Sequence, residues 1–303
     1  MTNTALHTAE IVLATPDSQH LAATLFEPGI DGPPANGLSV LVNGATGVPA
    51  RYYAAFAQFL AGRGFTVLTY DYRGIAGSRR RGAGAPPPRM LDWGRHDMPA
   101  AAAWLRRHRP GLGRCVVGHS FGGQILGLDP QAGEIAAAVT IAAQHGHWRN
   151  WDWAHRLYLP AWWYLMVPGI VAATGRLPGR LLGGAEDLPA GVARDWARWC
   201  RSRHYLVDDE GRPLRPHNHA VRATMRLVSF ADDHTFGPRR GVDALAGFYP
   251  HARIERLHVA PGDWGLPQIG HFGFFRRGMP PQRWAELADW LYAAATASRE
   301  EAA

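Results

Sequence analysis

The chain has 303 residues with 47% hydrophobic content and two cysteines, enough for one large core with an insertion and no disulfide support. Cys115 and Cys200 stand in unrelated contexts without metal-ligand spacing, so neither a disulfide nor a metal site is expected from them. The net charge of +7 comes from arginine alone, since the sequence contains no lysine; beside its abundant alanine, glycine and proline this reads as biased codon usage, and Arg79-Arg80-Arg81 as a solvated loop, not a nucleic-acid or phosphate patch.

The start, Met1 to His7, lacks a charged residue followed by an apolar stretch, so no export signal and a cytoplasmic location are expected. Residues 10–14 and 20–26 alternate as the two strands of a hairpin turned at Pro16-Asp17-Ser18, and 29–37 form a Gly/Pro loop. Leu38-Ser39-Val40-Leu41-Val42 is a strand, followed by Asn43-Gly44-Ala45-Thr46-Gly47 and a helix opening near Ala50. A further strand over 64–70 runs into Asp71-Tyr72-Arg73-Gly74, residues 79–88 form a loop, and a helix over 97–107 carries Trp104 to the core. Strand, helix and strand alternate to about Ala143, the pattern of a doubly wound, mostly parallel sheet, without internal repeats.

The most informative segment is 114–124. Cys115-Val116-Val117 is a short apolar run, as in a buried parallel strand, and it stops on Gly118-His119-Ser120-Phe121-Gly122, which fits G-x-S-x-G. A serine on a sharp strand-to-helix turn takes a strained backbone that pushes its hydroxyl outward, and glycines two residues to either side remove side chains that would collide. Gly123 leaves room for the helix expected from Gln124 onward. Ser120 is therefore the candidate nucleophile, and His119 reads as the variable residue of the motif.

A serine nucleophile needs a base and an acid. Met225-Arg226-Leu227-Val228-Ser229-Phe230 reads as a strand broken by Ala231-Asp232-Asp233-His234, which supplies two acid candidates. Residues 253–259 alternate as the next strand, and the loop after it holds Ile269-Gly270-His271-Phe272-Gly273-Phe274-Phe275, shortly before a last helix over 281–295. His271 is the candidate base that takes the Ser120 proton. One oxyanion donor is the Phe121 amide, and the other comes from the loop after the Leu38–Val42 strand.

On these motifs, with Gly64-Phe65-Thr66-Val67-Leu68-Thr69-Tyr70-Asp71-Tyr72-Arg73-Gly74, the chain resembles the α/β-hydrolase superfamily over nearly its whole length. Within it the chain is similar to a bacterial branch of predicted hydrolases near the serine-aminopeptidase and monoglyceride-lipase types, on Tyr70 to Gly74, Asp195-Trp196-Ala197-Arg198-Trp199-Cys200 and Gly270 to Phe275. The resemblance implies an α/β-hydrolase fold: a mostly parallel eight-stranded sheet, helices on both faces and an inserted helical cap. It also implies that Asp233 rather than Asp232 is the acid, because the acid usually stands a few residues before the next helix. Asn43-Gly44 occupies the place of the usual His-Gly, which makes the Ala45 amide the second oxyanion donor and Thr46 its alternative.

The strand–helix alternation breaks after Ala143. The stretch that follows holds Trp148, Trp151, Trp153, Trp162, Trp163, Trp196 and Trp199, most of the chain's 12 tryptophans. The expected organisation is a core over 1–146 and 218–303 with a helical cap over 147–217, whose Trp162 and Trp163 line an acyl pocket. Its apolar run at 157–173 nears the length of about 20 residues that a membrane span requires, but it lies inside a fold with no second span to return the chain. His145-x-His147, His217-x-His219 and His234 lack the pattern of a metal site, Asp263 has no argued role, and no cofactor is expected.

The resulting functional expectation is a serine hydrolase that forms an acyl-enzyme and accepts a small hydrophobic ester or thioester, whose leaving group demands less acid catalysis than an amide's. An acyltransferase using the same three residues and a non-catalytic ligand-binding scaffold are the alternatives.

Overall fold

A computed structural model of the protein describes residues 5–79, 86–183 and 185–302. Its sheet has eight strands: β1 (Leu6–Ala14), β2 (His20–Pro28), β3 (Leu38–Asn43), β4 (Thr66–Tyr70), β5 (Gly113–His119), β6 (Ile135–Ile141), β7 (Thr224–Phe230) and β8 (Arg253–Val259). They lie in the order β1-β2-β4-β3-β5-β6-β7-β8. The β1–β2 and β2–β4 pairs are antiparallel and all others parallel. Both faces of the central strands are covered, so β3 to β6 are wholly or almost wholly buried and read as continuous apolar runs. Alternation decides the face: Leu41 and Val116 belong to one core cluster, while Val40, Val42, Cys115 and Val117 belong to the other. Cys115 and Cys200 are both free and buried.

Helices α1 (Ala54–Ala61), α2 (Met98–His108), α3 (Trp153–Thr174), α4 (Ala190–Arg201), α5 (Arg239–Leu245) and α6 (Pro281–Ala302) complete the fold. A π turn at Trp93–Asp97 leads into α2; Trp93 is fully buried in the core, while Trp104 packs against it from the edge. Trp93 stacks on Tyr72 at 4.8 Å, whereas Trp104 is half-buried and stacks on His108. The helix expected from Gln124 is a single turn, Phe121–Gln124, followed by a 3₁₀ turn at Leu126–Leu128. The reason is local: Asp129 precedes Pro130, which disfavours helical backbone there. Gly127 packs so closely on Asn218 that a Cβ would lie 2.1 Å from its side-chain oxygen. Arg80 and Arg81 of the arginine run lie outside the described residues.

Between β6 and β7 the chain leaves the sheet and builds α3, α4 and a two-residue strand pair, Arg176–Leu177 with Leu188–Pro189. Helix α3 contains a π turn at Trp162–Met166. Pro168 has no N–H to give the Tyr164 carbonyl, and the ladder re-registers so that the Val167 amide bonds Trp162 O.

Candidate active site

Strand β5 ends at the elbow, where Ser120 has φ 50° and ψ −119°, a conformation that costs a non-glycine residue about 1–3 kcal/mol. The turn is held by Ser120 N–H to Ile141 O at 2.9 Å and Gly123 N–H to Ser120 O at 3.0 Å. It closes so tightly that a Cβ on Gly118 would stand 2.4 Å from the Gly123 Cα, and one on Gly122 2.2 Å from the Asn43 carbonyl oxygen. Ser120 keeps 7% exposure, and its hydroxyl forms no hydrogen bond among the described residues. In unliganded hydrolases the serine–histidine contact is commonly long and tightens in the substrate complex.

His271 and Asp233 come together from the loops after β8 and β7. His271 Nδ1 meets Asp233 Oδ2 at 2.6 Å, with both side chains almost fully buried. Burial pushes the Asp233 carboxyl up, but the charge and hydrogen bond of His271 and the Gly237 and Phe236 amides outweigh it and hold it below its ordinary range. Asp232 has a different task. Its Oδ2 accepts the Ile269 and Gly270 amides at 2.8 and 2.9 Å, so it pins the backbone that carries His271 without reaching the imidazole. The two neighbouring acids thus divide ring and loop between them.

Ala45 requires a correction. Its amide donates to Tyr53 Oη at 2.8 Å and is therefore occupied, not free for an oxyanion. The amides of Thr46 and Phe121 donate to no acceptor among the described residues. Asn43, fully buried, ties this loop to the elbow by donating to Gly122 O at 3.2 Å while accepting from Tyr70 Oη at 2.9 Å.

His119 is not a passive residue of the motif. Because Tyr53 Oη already accepts the Ala45 amide, its own hydrogen goes to His119 Nδ1 at 2.8 Å, which leaves Nε2–H to donate to the His271 carbonyl at 2.9 Å. The chain of bonds links the loop after β3, the elbow and the loop that carries His271. Burial, aided by His271, pushes the His119 imidazole down to about 3, so it stays neutral. No sequence signal announces this bond, since its acceptor is a main-chain carbonyl far along the chain.

The loops are braced from behind. Asp71 accepts the Ala50 and Gly77 amides at 2.6 and 3.0 Å, and Arg73 is clamped between Asp97 at 2.7 Å and Asp17 at 2.6 Å. On the solvent side lies a cavity of about 210 Å³ whose walls include Trp162, Trp163, Tyr158, Leu182, Gln144 and Phe236. Ser120 is not part of its lining. Phe236, one of its walls, also packs against the site, its ring 5.1 Å from that of His271. Trp163 packs edge-on against Trp196 at 5.1 Å, and Trp151 donates to Thr235 O at 2.9 Å, two residues beyond Asp233. A larger cleft, of about 550 Å³ beside Arg73 and His20, contains no member of this site. Among the described residues no group of three or more metal-ligating side chains is brought together.

Comparison with known proteins agrees with this architecture. No curated protein matches the chain in sequence. Among solved structures, the Pyrococcus furiosus esterase Pf2001 superposes with a TM-score of 0.59 at 14% identity, covering 97% of this chain and 93% of that one. A thermophilic esterase from Thermogutta terrifontis gives 0.55 at 14% identity, covering 95% and 99%. Brefeldin A esterase, a bacterial homologue of human hormone-sensitive lipase, gives 0.56 at 18% identity, covering 99% and 80%. At such identities the likeness speaks for the fold. The family model described as the alpha/beta hydrolase family matches residues 40–297, and the chain belongs to that family.

Proposed function

We propose that the protein is a serine hydrolase acting through an acyl-enzyme on a carboxylic ester or thioester with a hydrophobic acyl group. The observation that carries the reading is the 2.6 Å Asp233–His271 pair, tied through His119 to an elbow that holds Ser120 at positive φ. Ser120 Oγ attacks the acyl carbon while His271 Nε2 takes its proton, and Asp233 orients the ring and stabilises the imidazolium. The Phe121 and Thr46 amides receive the oxyanion. Collapse of the tetrahedral intermediate expels the alcohol or thiol, which leaves with the proton from His271. Water, activated by the same imidazole, then releases the acid and frees Ser120.

Residues 147–217 act as a cap in this reading, with Trp162 and Trp163 forming the wall against which the acyl chain lies. That all three structural neighbours described above are esterases supports an ester substrate. Incubation with a fluorophosphonate and peptide mapping tests the reading: a single adduct on Ser120 is expected, and an unlabelled Ser120 in folded protein overturns it. A graded series of p-nitrophenyl esters then identifies the acyl group, and product analysis with an added alcohol distinguishes hydrolysis from acyl transfer.

A further inference from the structure

Helix α3 presents a surface that the proposed chemistry does not use. By length and composition it could cross a membrane, with a mean hydropathy of 1.3 in its most apolar 18-residue window, yet only 22% of that window is buried. It is therefore not a core helix. Its inner stripe, Leu159, Trp163, Val167 and Val171, packs on the protein. Its outer face exposes Trp153 (76%), Leu157 (75%), Leu165 (70%) and Met166 (52%). No acidic residue occurs anywhere from 153 to 183.

We infer that this outer face docks in the plane of an anionic lipid surface. Three observations select that occupant. The first is the distribution of charge: the exposed face is uncharged, its one acidic neighbour, Asp152, caps the helix start and pairs with His155, and the rest of its rim is arginine. Arg194 and Arg201 stand beside Val167, Pro168 and Ala172 along one flank, and Arg201 lies 5.2 Å over the Tyr164 ring. Arg180 stands beside exposed Leu181, and none of Arg180, Arg194 and Arg201 forms an ion pair among the described residues. An apolar strip with aromatic residues and an arginine border matches acyl chains below and anionic headgroups above. A second copy would bring the same arginines against one another.

The second observation is that α3 is fixed along its length against the protein by its inner stripe, so it can lie in an interface but not insert across one without unpacking Trp163, Val167 and Val171. The third is continuity with the cavity. Tyr158 (50% exposed) and Leu181 (43% exposed) belong both to the apolar face and to the cavity wall that leads to Phe236. A docked face therefore opens the cavity toward lipid. The inference goes beyond the acyl-enzyme reading, because docking does not depend on Ser120.

Flotation of the full-length protein with vesicles of equimolar phosphatidylcholine and phosphatidylglycerol tests it, with phosphatidylcholine vesicles as the comparison. Binding to the anionic vesicles is expected, weaker in high salt, with a blue shift of tryptophan emission. The double variant Leu157→Asp, Leu165→Asp should lose about a hundredfold in vesicle affinity while keeping its melting temperature, since neither side chain is packed. The double variant Arg180→Glu, Arg201→Glu should reduce the preference for anionic over neutral vesicles. Absence of binding, equal binding by wild type and the leucine variant, or a wild-type dimer that the leucine variant dissociates would each overturn the inference. Because no turnover is measured, failure here leaves the fluorophosphonate result untouched, and the reverse.

Discussion

Ser120, Asp233 and His271 stand in the turns and loops that follow β5, β7 and β8, each 7% exposed or less, and every loop that carries them is tied to another by hydrogen bonds to main-chain groups. The insertion beside them is bonded to the core through Asp195, which pairs with Arg89, and Glu186, which accepts the Ala76 amide, but its longest helix, α3, is held by packing of rings and aliphatic side chains and leaves about half of its residues exposed. Under the proposed function the contrast follows from what each region would have to do. Proton transfer and attack fail when atoms move by an ångström, so the reacting groups need directional, redundant anchors. A wall for an apolar chain needs area and shape, which non-directional packing supplies and which tolerates adjustment.

The contrast is broken most directly at its rigid end. Ser120→Ala and His271→Ala should each lower kcat by on the order of 10⁶, because nucleophile and base act as a unit. Circular dichroism should show an intact fold, and more than a few per cent residual activity in either variant would contradict the triad. Next in size is the division between adjacent acids. Asp233→Asn should lose on the order of 10⁴ in kcat, the size the same change has in trypsin, since the amide fixes the wrong tautomer of His271. Asp232→Asn keeps an acceptor oxygen for the Ile269 and Gly270 amides and should cost about tenfold or less. Steady-state kinetics of the pair would exchange the two roles if the ranking came out reversed.

A third test concerns the anchor between the loops. The His119 imidazole is pushed from its ordinary 6.5 to about 3, so at intermediate pH the unfolded chain binds a proton there that the folded chain does not. Stability then rises with pH in that range, and falls as pH drops from about 6.5 toward about 3. Between pH 7 and pH 5 this single group should remove about 2 kcal/mol, at roughly 1.4 kcal/mol per unit once the unfolded histidine is protonated. Urea unfolding of wild type and His119→Asn at both pH values isolates the effect, because other titrating groups are common to the two. An equal pH loss in both proteins would mean that His119 is not held neutral by burial.

What the sequence made legible divides along the same line. The succession of strands, the elbow and the loops that carry the acids and His271 are local patterns: a β-branched run ending in glycines, a strand broken by two aspartates, a glycine–histidine loop before the last helix; the choice of Asp233 over Asp232 rested on the resemblance. The occupied Ala45 amide was not legible, because nothing in Asn43-Gly44-Ala45-Thr46 shows that the Tyr53 hydroxyl returns to it. His119 was read as variable because its partners are a tyrosine in the turn leading to α1 and a carbonyl after β8, brought together only by the folded sheet. The helix expected after the elbow could have been shortened on sight, since Asp129-Pro130 follows within a few residues. For the insertion, composition revealed an aromatic segment but not its orientation. Trp151 and Trp163 turn inward and Trp153 outward, a distinction set by packing and by the re-registered turn at Trp162–Met166.

The smallest expected effect lies in that adaptable wall, and it decides whether the wall selects substrate at all. Trp162 and Trp163 line a cavity that shares Phe236 with the surroundings of His271, so, under the proposed function, an acyl chain that extends from Ser120 past Phe236 into the cavity would bury methylene groups against indole. Each buried methylene is worth about 0.8 kcal/mol, or about fourfold in kcat/KM. Reactivity should therefore climb from the acetate ester to medium chains and stop where the cavity, at about 210 Å³, is filled. In the double variant Trp162→Ala, Trp163→Ala the slope should flatten while acetate hydrolysis persists, because the anchors of Ser120, Asp233 and His271 do not pass through either ring. A flat profile in the unmodified enzyme would assign the tryptophans to packing alone, and a variant that loses acetate hydrolysis along with the slope would show that the wall also supports the reacting groups.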